Sequence, residues 1–335
     1  MRFTIPFLFV VAALTVIGCT ERPASPSSPT QSQRKPGRLR FFDLINVDVR
    51  HVPLLMALDE LAAQGYTIET THMASGALIV DALGRGHADI GLLNNQTMWT
   101  GVAKGAPVRT IARFTAPTTI LAARTDIRSC RDLEGKRVAV PATHGFSSAL
   151  LNMYFEQNCP GVSPQFLVIV ESAGRAAALL AGEVDAETVP REELLKLQLE
   201  APGRFYAVMS YAQEFPTVFI DGLHVRRQWA EQNPKGVKDF LRALLRAQRR
   251  VAADPPLLYA ESVKRLSLDP ATARVVGEAH LRMGIWDANG GLTSRNVQDT
   301  IELLTKLAAL PPGLKVEDVA DLSYLHAVLE EIGRQ

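Results

Sequence analysis

The feature that most constrains the fold is a regular alternation of short apolar runs with amphipathic helical segments. In the first part of the chain, Leu39–Leu44, Tyr66–Thr70 and Ala88–Leu93 have the composition of strands. They alternate with segments whose apolar side chains follow helical spacing, such as Pro53–Gln64. This order is typical of βαβ units around a mostly parallel sheet, so the sequence predicts an α/β protein. Ligands of such open sheets bind at the carboxyl ends of the strands.

The alternation continues through the middle of the chain and then gives way to helices. Five further strands are predicted at Ile120–Arg124, Arg137–Val140, Phe166–Val170, Val184–Ala186 and Pro216–Leu223. Helix starts after them are marked by proline or serine in the first turn, near Pro234, Pro255, Pro270 and Ser294. Beyond Leu223 the pattern of the chain is therefore almost purely helical.

The first 19 residues have the features of an export signal. Arg2 precedes an apolar run, Ile5–Gly18, that is shorter than the roughly 18 residues a spanning helix needs. The run ends in Val-Ile-Gly followed by Cys19, which resembles the lipobox of bacterial lipoproteins. We therefore expect residues 1–19 to be a signal peptide and Cys19 to carry the lipid. An ordinary signal peptide with an incidental cysteine is the alternative.

A polar segment follows Cys19. Residues 20–37 are rich in proline and serine and contain no large apolar side chain, so they cannot offset the entropy cost of ordering and are predicted to be a disordered tether. The expected location is the periplasmic side of a membrane, with the protein held by its lipid. Thr20 is not the aspartate that resembles an inner-membrane retention signal, which favours the outer membrane in a Gram-negative source.

Charge and histidine content exclude several classes of function. The chain has 36 Lys+Arg against 35 Asp+Glu and lacks a basic cluster interleaved with aromatic residues, which argues against nucleic acid as a partner. Its seven histidines show no metal-ligand spacing. The sequence predicts no metal site, no cofactor and no enzymatic constellation of paired carboxylates.

Cys130 and Cys159 are the two cysteines of the predicted globular part. A helix over residues 147–158 is about 18 Å long, close to the length of the strand before it, so it returns Cys159 to the sheet edge near Cys130. This placement favours a disulfide between them, at the end of this sheet opposite the carboxyl ends of its strands. Two buried free thiols are the alternative.

Three phrases of the sequence resemble those of type 2 periplasmic solute-binding proteins of ABC transporters. Leu83–Gly91 (LGRGHADIG) looks like the phrase that ends their first βαβ unit, and Ser129–Val140 (SCRDLEGKRVAV) is similar to the one that opens their second lobe. Leu179–Ala186 (LLAGEVDA) matches a phrase one βαβ unit later, and Val319–Gly333 resembles their closing segment. The resemblance runs through residues 38–335. Within the family it is to the nitrate, sulfonate, taurine and thiamine-precursor binders.

The resemblance implies a fold and a function. The implied fold has two lobes, each an open, mostly parallel sheet flanked by helices, with residues 38–118 and 218–335 in lobe 1, residues 119–217 in lobe 2, and hinges near Thr115–Ile120 and Gln213–Thr217. The implied protein is a monomer without catalytic activity. It closes around a small solute, sulfonate-, nitrate- or taurine-like or pyrimidine-like, and presents it to ABC permease and ATPase subunits. A sensor of the same fold that works without a transporter is an alternative.

Residues that follow the strands are the expected ligand contacts. In the first lobe these are Asn46, Asp48, Ser75, Asn94, Asn95 and Gln96. In the second lobe they are Thr143, His144, Ser147, Ser148, Glu187 and Thr188. Free N–H groups at a helix start, with two hydroxyls nearby, suit an anion at the second set. Ser147 acting only as a helix cap is the alternative there.

An esterase is the competing functional hypothesis. Gly145-Phe146-Ser147-Ser148-Ala149 follows a strand and opens a helix, as in the nucleophile elbow of α/β hydrolases. Ser147 would then need a histidine base, for which His224, His280 and His326 are the candidates. Each of them is predicted in or beside a helix rather than in a loop after a strand, which disfavours this hypothesis.

Overall fold

The computed structural model describes residues 37–44, 47–144 and 146–335. The predicted signal peptide, Cys19, all of the predicted tether except Gly37, and the predicted ligand residue Asn46 lie outside these ranges. No helix in the described ranges has the length and apolar character needed to cross a bilayer.

The described residues form ten strands and fourteen α-helices, which alternate until the helices at the end of the chain. The strands are β1 (Arg38–Leu44), β2 (Thr67–Met73), β3 (Ile90–Asn94), β4 (Val108–Arg113), β5 (Thr119–Arg124), β6 (Arg137–Val140), β7 (Gln165–Val168), β8 (Ala186–Pro190), β9 (Phe205–Ser210) and β10 (Asp221–Arg226). The helices are α1 (Val52–Ala63), α2 (Gly76–Gly84), α3 (Asn95–Ala103), α4 (Phe146–Asn158), α5 (Ser172–Ala181), α6 (Arg191–Glu200), α7 (Tyr211–Glu214), α8 (Arg227–Gln232), α9 (Pro234–Ala253), α10 (Pro255–Leu266), α11 (Pro270–Met283), α12 (Ser294–Lys306), α13 (Val316–Val319) and α14 (Ser323–Ile332). Two 3₁₀ turns lie at Val49–His51 and Cys130–Leu133.

The strands form two five-stranded sheets with the same plan. Sheet 1 has the order β2-β1-β3-β10-β4, and sheet 2 has the order β7-β6-β8-β5-β9. In each sheet four strands run parallel and the fourth in the order, β10 or β5, runs antiparallel to both neighbours. We call the parts of the chain around sheet 1 and sheet 2 lobe 1 and lobe 2. The predicted two-lobed α/β fold is confirmed.

The chain passes between the sheets twice, in residues 114–118 and 211–220. The predicted lobe boundaries, after residue 118 and after residue 217, fall at the end of the first segment and within the second. That the lobes move relative to each other about these segments stays a prediction. A helical tail, α9 to α14, follows the second passage and covers lobe 1, where Phe240 of α9 stacks on Phe41 of β1 with ring centroids 6.2 Å apart. Burying a side chain of this size contributes about 1.5–3 kcal/mol to stability.

Two of the family-like phrases contain the pattern Gly-x-x-Asp, at Gly86–Asp89 and Gly182–Asp185, and it has the same structural role in both sheets. Gly86 and Gly182 adopt left-handed backbone conformations, with φ of 76° and 77°, and turn the chain out of α2 and α5. The aspartate that follows then ties two strands together. Asp89 accepts hydrogen bonds from the guanidinium of Arg40 at 2.6 and 3.0 Å, and Asp185 accepts the backbone N–H of Arg137 at 2.9 Å. These phrases therefore stabilise the sheets and do not line the crevice.

Cys130 and Cys159 are joined by a disulfide with their Cα atoms 6.0 Å apart. Cys130 lies in the 3₁₀ turn before β6 and Cys159 directly follows α4, so the bond links the two ends of this strand–helix unit. Both half-cystines are buried.

Three details of the predicted secondary structure are wrong. β8 begins at Ala186, where the predicted strand ended, because Val184 and Asp185 form the turn out of α5. β10 begins at Asp221 rather than Pro216, since it takes its hydrogen bonds from β3 and β4 at that register. α6 and β9 were not predicted, although both complete the packing of sheet 2.

Candidate ligand-binding site

The carboxyl ends of β1 and β3 and the start of β10 meet at one edge of sheet 1. Asp221 pairs with Asn94 in the antiparallel register of β10 and β3. The next described element after β1 is the 3₁₀ turn at Val49–His51. This edge therefore gathers polar groups from three strands, at the place where open α/β sheets bind ligands.

Asp48 and Arg50 form an ion pair at this edge. The carboxylate of Asp48 caps the 3₁₀ turn, accepting the backbone N–H of Arg50 at 2.8 Å, and it also accepts the Nε and Nη2 hydrogens of the Arg50 guanidinium at 3.0 and 2.6 Å. Burial alone would raise the pKa of Asp48, but contact with His51 and the charge of Arg50 outweigh it and hold this pKa well below its usual range. Asp48 is thus ionised and committed to Arg50.

Asp221 has a different environment. Its carboxylate has neither a hydrogen bond nor an ion pair with any described residue, and the side chain is partly buried. Burial raises the pKa of Asp221; the positive charge of Arg50 and the nearby His51 oppose the rise, and Asp48 reinforces it. An unsatisfied carboxylate next to a guanidinium is an acceptor that is available to a ligand.

Lobe 2 contributes Glu192 to the same region. β8 ends at Pro190, and Glu192 lies in the first turn of α6, where its Oε2 is 3.4 Å from Nε2 of His280. Burial would raise the pKa of Glu192, but the hydrogen bond and charge of His280, together with Arg50, lower it below its usual range. His280 belongs to α11, which packs on α10 and the 3₁₀ turn of lobe 1. Glu192 therefore links the two lobes through electrostatic contacts.

Trp286 supports this cluster from behind. Its Nε1 donates to the backbone carbonyl of Arg50 at 3.1 Å, and its ring meets that of His280 edge-on with centroids 6.0 Å apart. One aromatic side chain therefore contacts both Arg50 and His280 and holds the two residues near each other.

A cavity of about 310 Å³ opens between the lobes beside α3 and α4. It is lined by Gln96, Thr143, His144, Phe146, Ala149, Asn152 and Leu307–Ala309. Three of the predicted ligand residues, Gln96, Thr143 and His144, are therefore brought together across the crevice. They offer amide, hydroxyl and imidazole groups to a polar solute.

Other predicted ligand residues of lobe 1 are used by the protein itself. Asn94 is the N-cap of α3 and accepts the backbone N–H of Thr97 at 2.8 Å. Asn95 is fully buried and donates from its amide to the carbonyl of Phe219 at 2.9 Å. Ser75 is exposed at the start of α2 and its hydroxyl does not cap that helix.

The predicted residues of lobe 2 are also unevenly placed. Ser148 is buried and donates to the carbonyl of Ala142 at 2.6 Å, which closes the loop after β6. Ser147 is partly buried in the first turn of α4. Glu187 and Thr188 lie inside β8 and are 0% and 2% exposed, because β8 extends to Pro190. The carboxyl end of this strand presents Glu192 to the crevice in their place.

Arg50, Asp221 and Glu192 were missed by sequence reasoning. Two of them had a recognisable signal: Arg50 lies two residues after the predicted Asp48, and Glu192 follows Pro190 in a helical first turn where acidic side chains are favoured. Asp221 had no such signal because its strand was predicted too early.

The esterase hypothesis has no geometric support in the described part of the chain. His224 lies in β10 rather than beside a helix, where it is fully buried, with Nδ1 3.0 Å from Oγ1 of Thr110 and Nε2 3.1 Å from the carbonyl of Leu93. His280 faces Glu192, and His326 is exposed on α14. None of these rings contacts Ser147. The described residues also contain no group of three or more potential metal ligands.

Sequence and structure comparisons identify relatives of the chain. Residues 50–256 match the family described as NMT1/THI5 like. The chain is 27% identical over 212 residues to the taurine-binding periplasmic protein of Escherichia coli strain K12; the match covers 61% of this chain and 64% of that protein, slightly less than two thirds of its length.

Solved structures share the fold. The periplasmic aliphatic sulphonate binding protein of Escherichia coli superposes with a TM-score of 0.66 and 17% identity, covering 85% of this chain and 97% of that one. The alkanesulfonate-binding protein of Xanthomonas axonopodis pv. citri, bound to MOPS, gives 0.64 and 19%, covering 87% and 100%. With the match over residues 50–256, which spans more than half of its length, the chain belongs to the NMT1/THI5-like family.

Proposed function

We propose that the protein is the extracytoplasmic solute-binding component of an ABC importer. It captures a small polar solute between its lobes and presents it to the permease and ATPase subunits. The observation that carries the proposal is the charged crevice: Arg50 of lobe 1 interacts electrostatically with Asp221 of the same lobe and with Glu192 of lobe 2, which contacts His280. Membership of a family whose relatives are described as binding proteins supports it.

The charges of the crevice favour a zwitterion among the possible solutes. Arg50 offers a guanidinium to a sulfonate or another anionic group, and Asp221 offers an unpaired carboxylate to an ammonium group. A taurine-like solute satisfies both, whereas nitrate or a simple alkanesulfonate satisfies only the first. A pyrimidine would depend instead on the amide and hydroxyl groups of Gln96 and Thr143.

A matched pair of solutes tests this assignment. Native mass spectrometry of the purified protein identifies any retained solute, and titration calorimetry then compares taurine with ethanesulfonate, which lacks the ammonium group. We expect the parent protein to bind taurine more tightly than ethanesulfonate. Asp221→Asn should weaken the affinity for taurine by about tenfold or more and change the affinity for ethanesulfonate by no more than about twofold. Equal loss of both solutes, or tighter binding of a pyrimidine than of either, would contradict the zwitterion assignment.

Binding is proposed to close the lobes by bending at residues 114–118 and 211–220. A ligand can drive this change only if it binds the closed arrangement more tightly than the open one, and contacts from both lobes supply that difference. Small-angle scattering should then show a smaller radius of gyration with saturating solute. An unchanged scattering curve with calorimetrically confirmed binding would exclude closure.

Anchoring by lipid on Cys19 is proposed from the sequence of residues 1–19. The expected result is incorporation of labelled palmitate into the parent protein and its loss in Cys19→Ser, with Cys130→Ser as the matched control that keeps the label. Fractionation of the two membranes would then test the outer-membrane prediction. Labelling that persists in Cys19→Ser would refute the anchor.

A further inference from the structure

A second cavity lies at the junction of the lobes, and none of the residues proposed to hold the solute lines it. Its volume is about 520 Å³, and its walls come from the passage between the sheets at Ala116 and Pro117, from α6 and β9 of lobe 2, and from the end of α11. Ala116 is held to the segment after α11, because its N–H donates to the carbonyl of Ile285 at 2.8 Å. The cavity is therefore bounded by both lobes and by one of the connecting segments.

The polar lining of this cavity is cationic. Arg191 and Arg282 are the charged side chains that line it, and no carboxylate does so among the described residues. Arg191 is partly buried and its guanidinium has no ion pair or hydrogen bond with any described residue. Arg282 is exposed at the rim of the cavity and has one distant ion pair, with its Nη1 3.6 Å from Glu278. A half-buried guanidinium without a partner is costly unless an anion or water satisfies it.

The remaining lining suits a ligand with a short apolar chain and a polar group at one end. The larger apolar side chains are Pro117, Leu195, Val208, Met209, Met283 and Ile285, and four alanines complete the apolar lining. Ser210 and Gln213 add a hydroxyl and an amide. β9 is the last strand of sheet 2 and has no strand on its outer side in the described chain, which leaves part of its backbone free to hydrogen bond.

We propose that this cavity is a second binding site, for a small organic carboxylate whose charged group pairs with Arg191 and Arg282 and whose short chain packs on the apolar wall. It is separate from the solute crevice: Glu192 and His280 belong to the same two helices, α6 and α11, but make their contact with each other and with the Arg50 cluster. The proposal does not depend on the importer function. Since both lobes line the site, an occupant there contacts both at once.

Hexanoate is a suitable probe, with hexan-1-ol as its uncharged counterpart. Calorimetric titration of the full mature chain should detect hexanoate at concentrations up to about 10 mM and no binding of hexanol. Arg191→Gln should weaken the affinity for hexanoate by about tenfold or more, and the double variant with Arg282→Gln should show no hexanoate binding. Arg191→Lys should bind hexanoate more tightly than Arg191→Gln and less tightly than the parent. Arg295→Gln, which changes an exposed arginine on α12, is the control and should bind as the parent does.

Competition with taurine separates this site from the crevice. Saturating taurine should leave hexanoate binding in place, and Asp221→Asn should leave it unchanged. Displacement of hexanoate by taurine would show that the carboxylate enters the crevice and would overturn the proposal. So would binding that survives in the double arginine variant, or the absence of binding to the correctly folded parent protein.

Discussion

Replacing Glu187 by glutamine should change how the stability of lobe 2 depends on pH. Glu187 is 0% exposed inside β8, and neither of its carboxylate oxygens has a hydrogen-bond partner among the described residues. Burial raises its pKa to about 8; Arg175 nearby lowers it in part and Glu193 adds to the rise. The side chain is therefore a neutral acid at pH 7, buried in the folded protein and exposed in the unfolded chain.

The sign of the effect follows from this difference. The folded protein holds the Glu187 proton up to about pH 8, whereas the ordinary pKa of a glutamate is 4.5. Stability from this group is complete below pH 4.5 and is lost as the pH rises through about 8, because unfolding then releases the proton. The loss amounts to about 3–5 kcal/mol at most.

Urea unfolding followed by circular dichroism at several pH values between 4.5 and 9 measures this loss. Glu187→Gln keeps the shape and removes the ionisation, so its free energy of unfolding should equal that of the parent near pH 4.5 and exceed it by several kcal/mol at pH 9. Glu183→Gln, an exposed glutamate of the same lobe, should follow the parent at every pH. Parallel curves for the parent and Glu187→Gln would refute the reasoning.

Three further substitutions have expected outcomes of a defined size. Burial lowers the pKa of His224 to about 4, so the stability that its neutral form contributes is lost as the pH falls from 6.5 to 4. This loss in the free energy of unfolding is about 2–3 kcal/mol, and urea unfolding at several pH values should show a smaller loss for His224→Asn. Replacing Cys130 and Cys159 together by serine opens a loop of 29 residues and should cost about 3–4 kcal/mol, and a dithiothreitol-treated parent should behave alike. Asn94→Ala removes the N-cap of α3, which accepts the N–H of Thr97, and should lower the free energy of unfolding by about 1 kcal/mol. Solute affinity should not change, and a fall in affinity measured by calorimetry would contradict this prediction.

Strong local signals account for the parts of the fold that could be predicted. Pro53, Pro234 and Pro270 each lie in the first turn of a helix that begins within one residue of the predicted position. Ser294 likewise marks the start of α12. The start of each of these helices is determined by residues of its own first turn, so tertiary contacts did not move it.

Pairing between strands that are distant in sequence explains the parts of the fold that could not be predicted. β9 is an edge strand whose sequence, Phe205–Ser210, becomes a strand by pairing with β5. β10 acquires its register from β3 and β4, and so the sequence placed its start several residues early. The same error hid Asp221, and the misplaced β8 hid Glu192. Sequence reasoning named residues that follow the strands at this edge, but it could not show that Asn94, Asn95 and Ser148 make hydrogen bonds within the protein.

The position of β10 has a consequence for how the chain folds. β10 lies between β3 and β4, and β4 pairs with no other strand of sheet 1. A growing chain that has reached Ser210 holds every strand of sheet 2, yet its β4 has no partner and the outer edge of its β3 is exposed. Unpaired edges and contacts between residues distant in sequence make folding slow and favour misassembly. Lobe 2 can form from a continuous stretch of chain, so the lobe whose synthesis begins first is completed last.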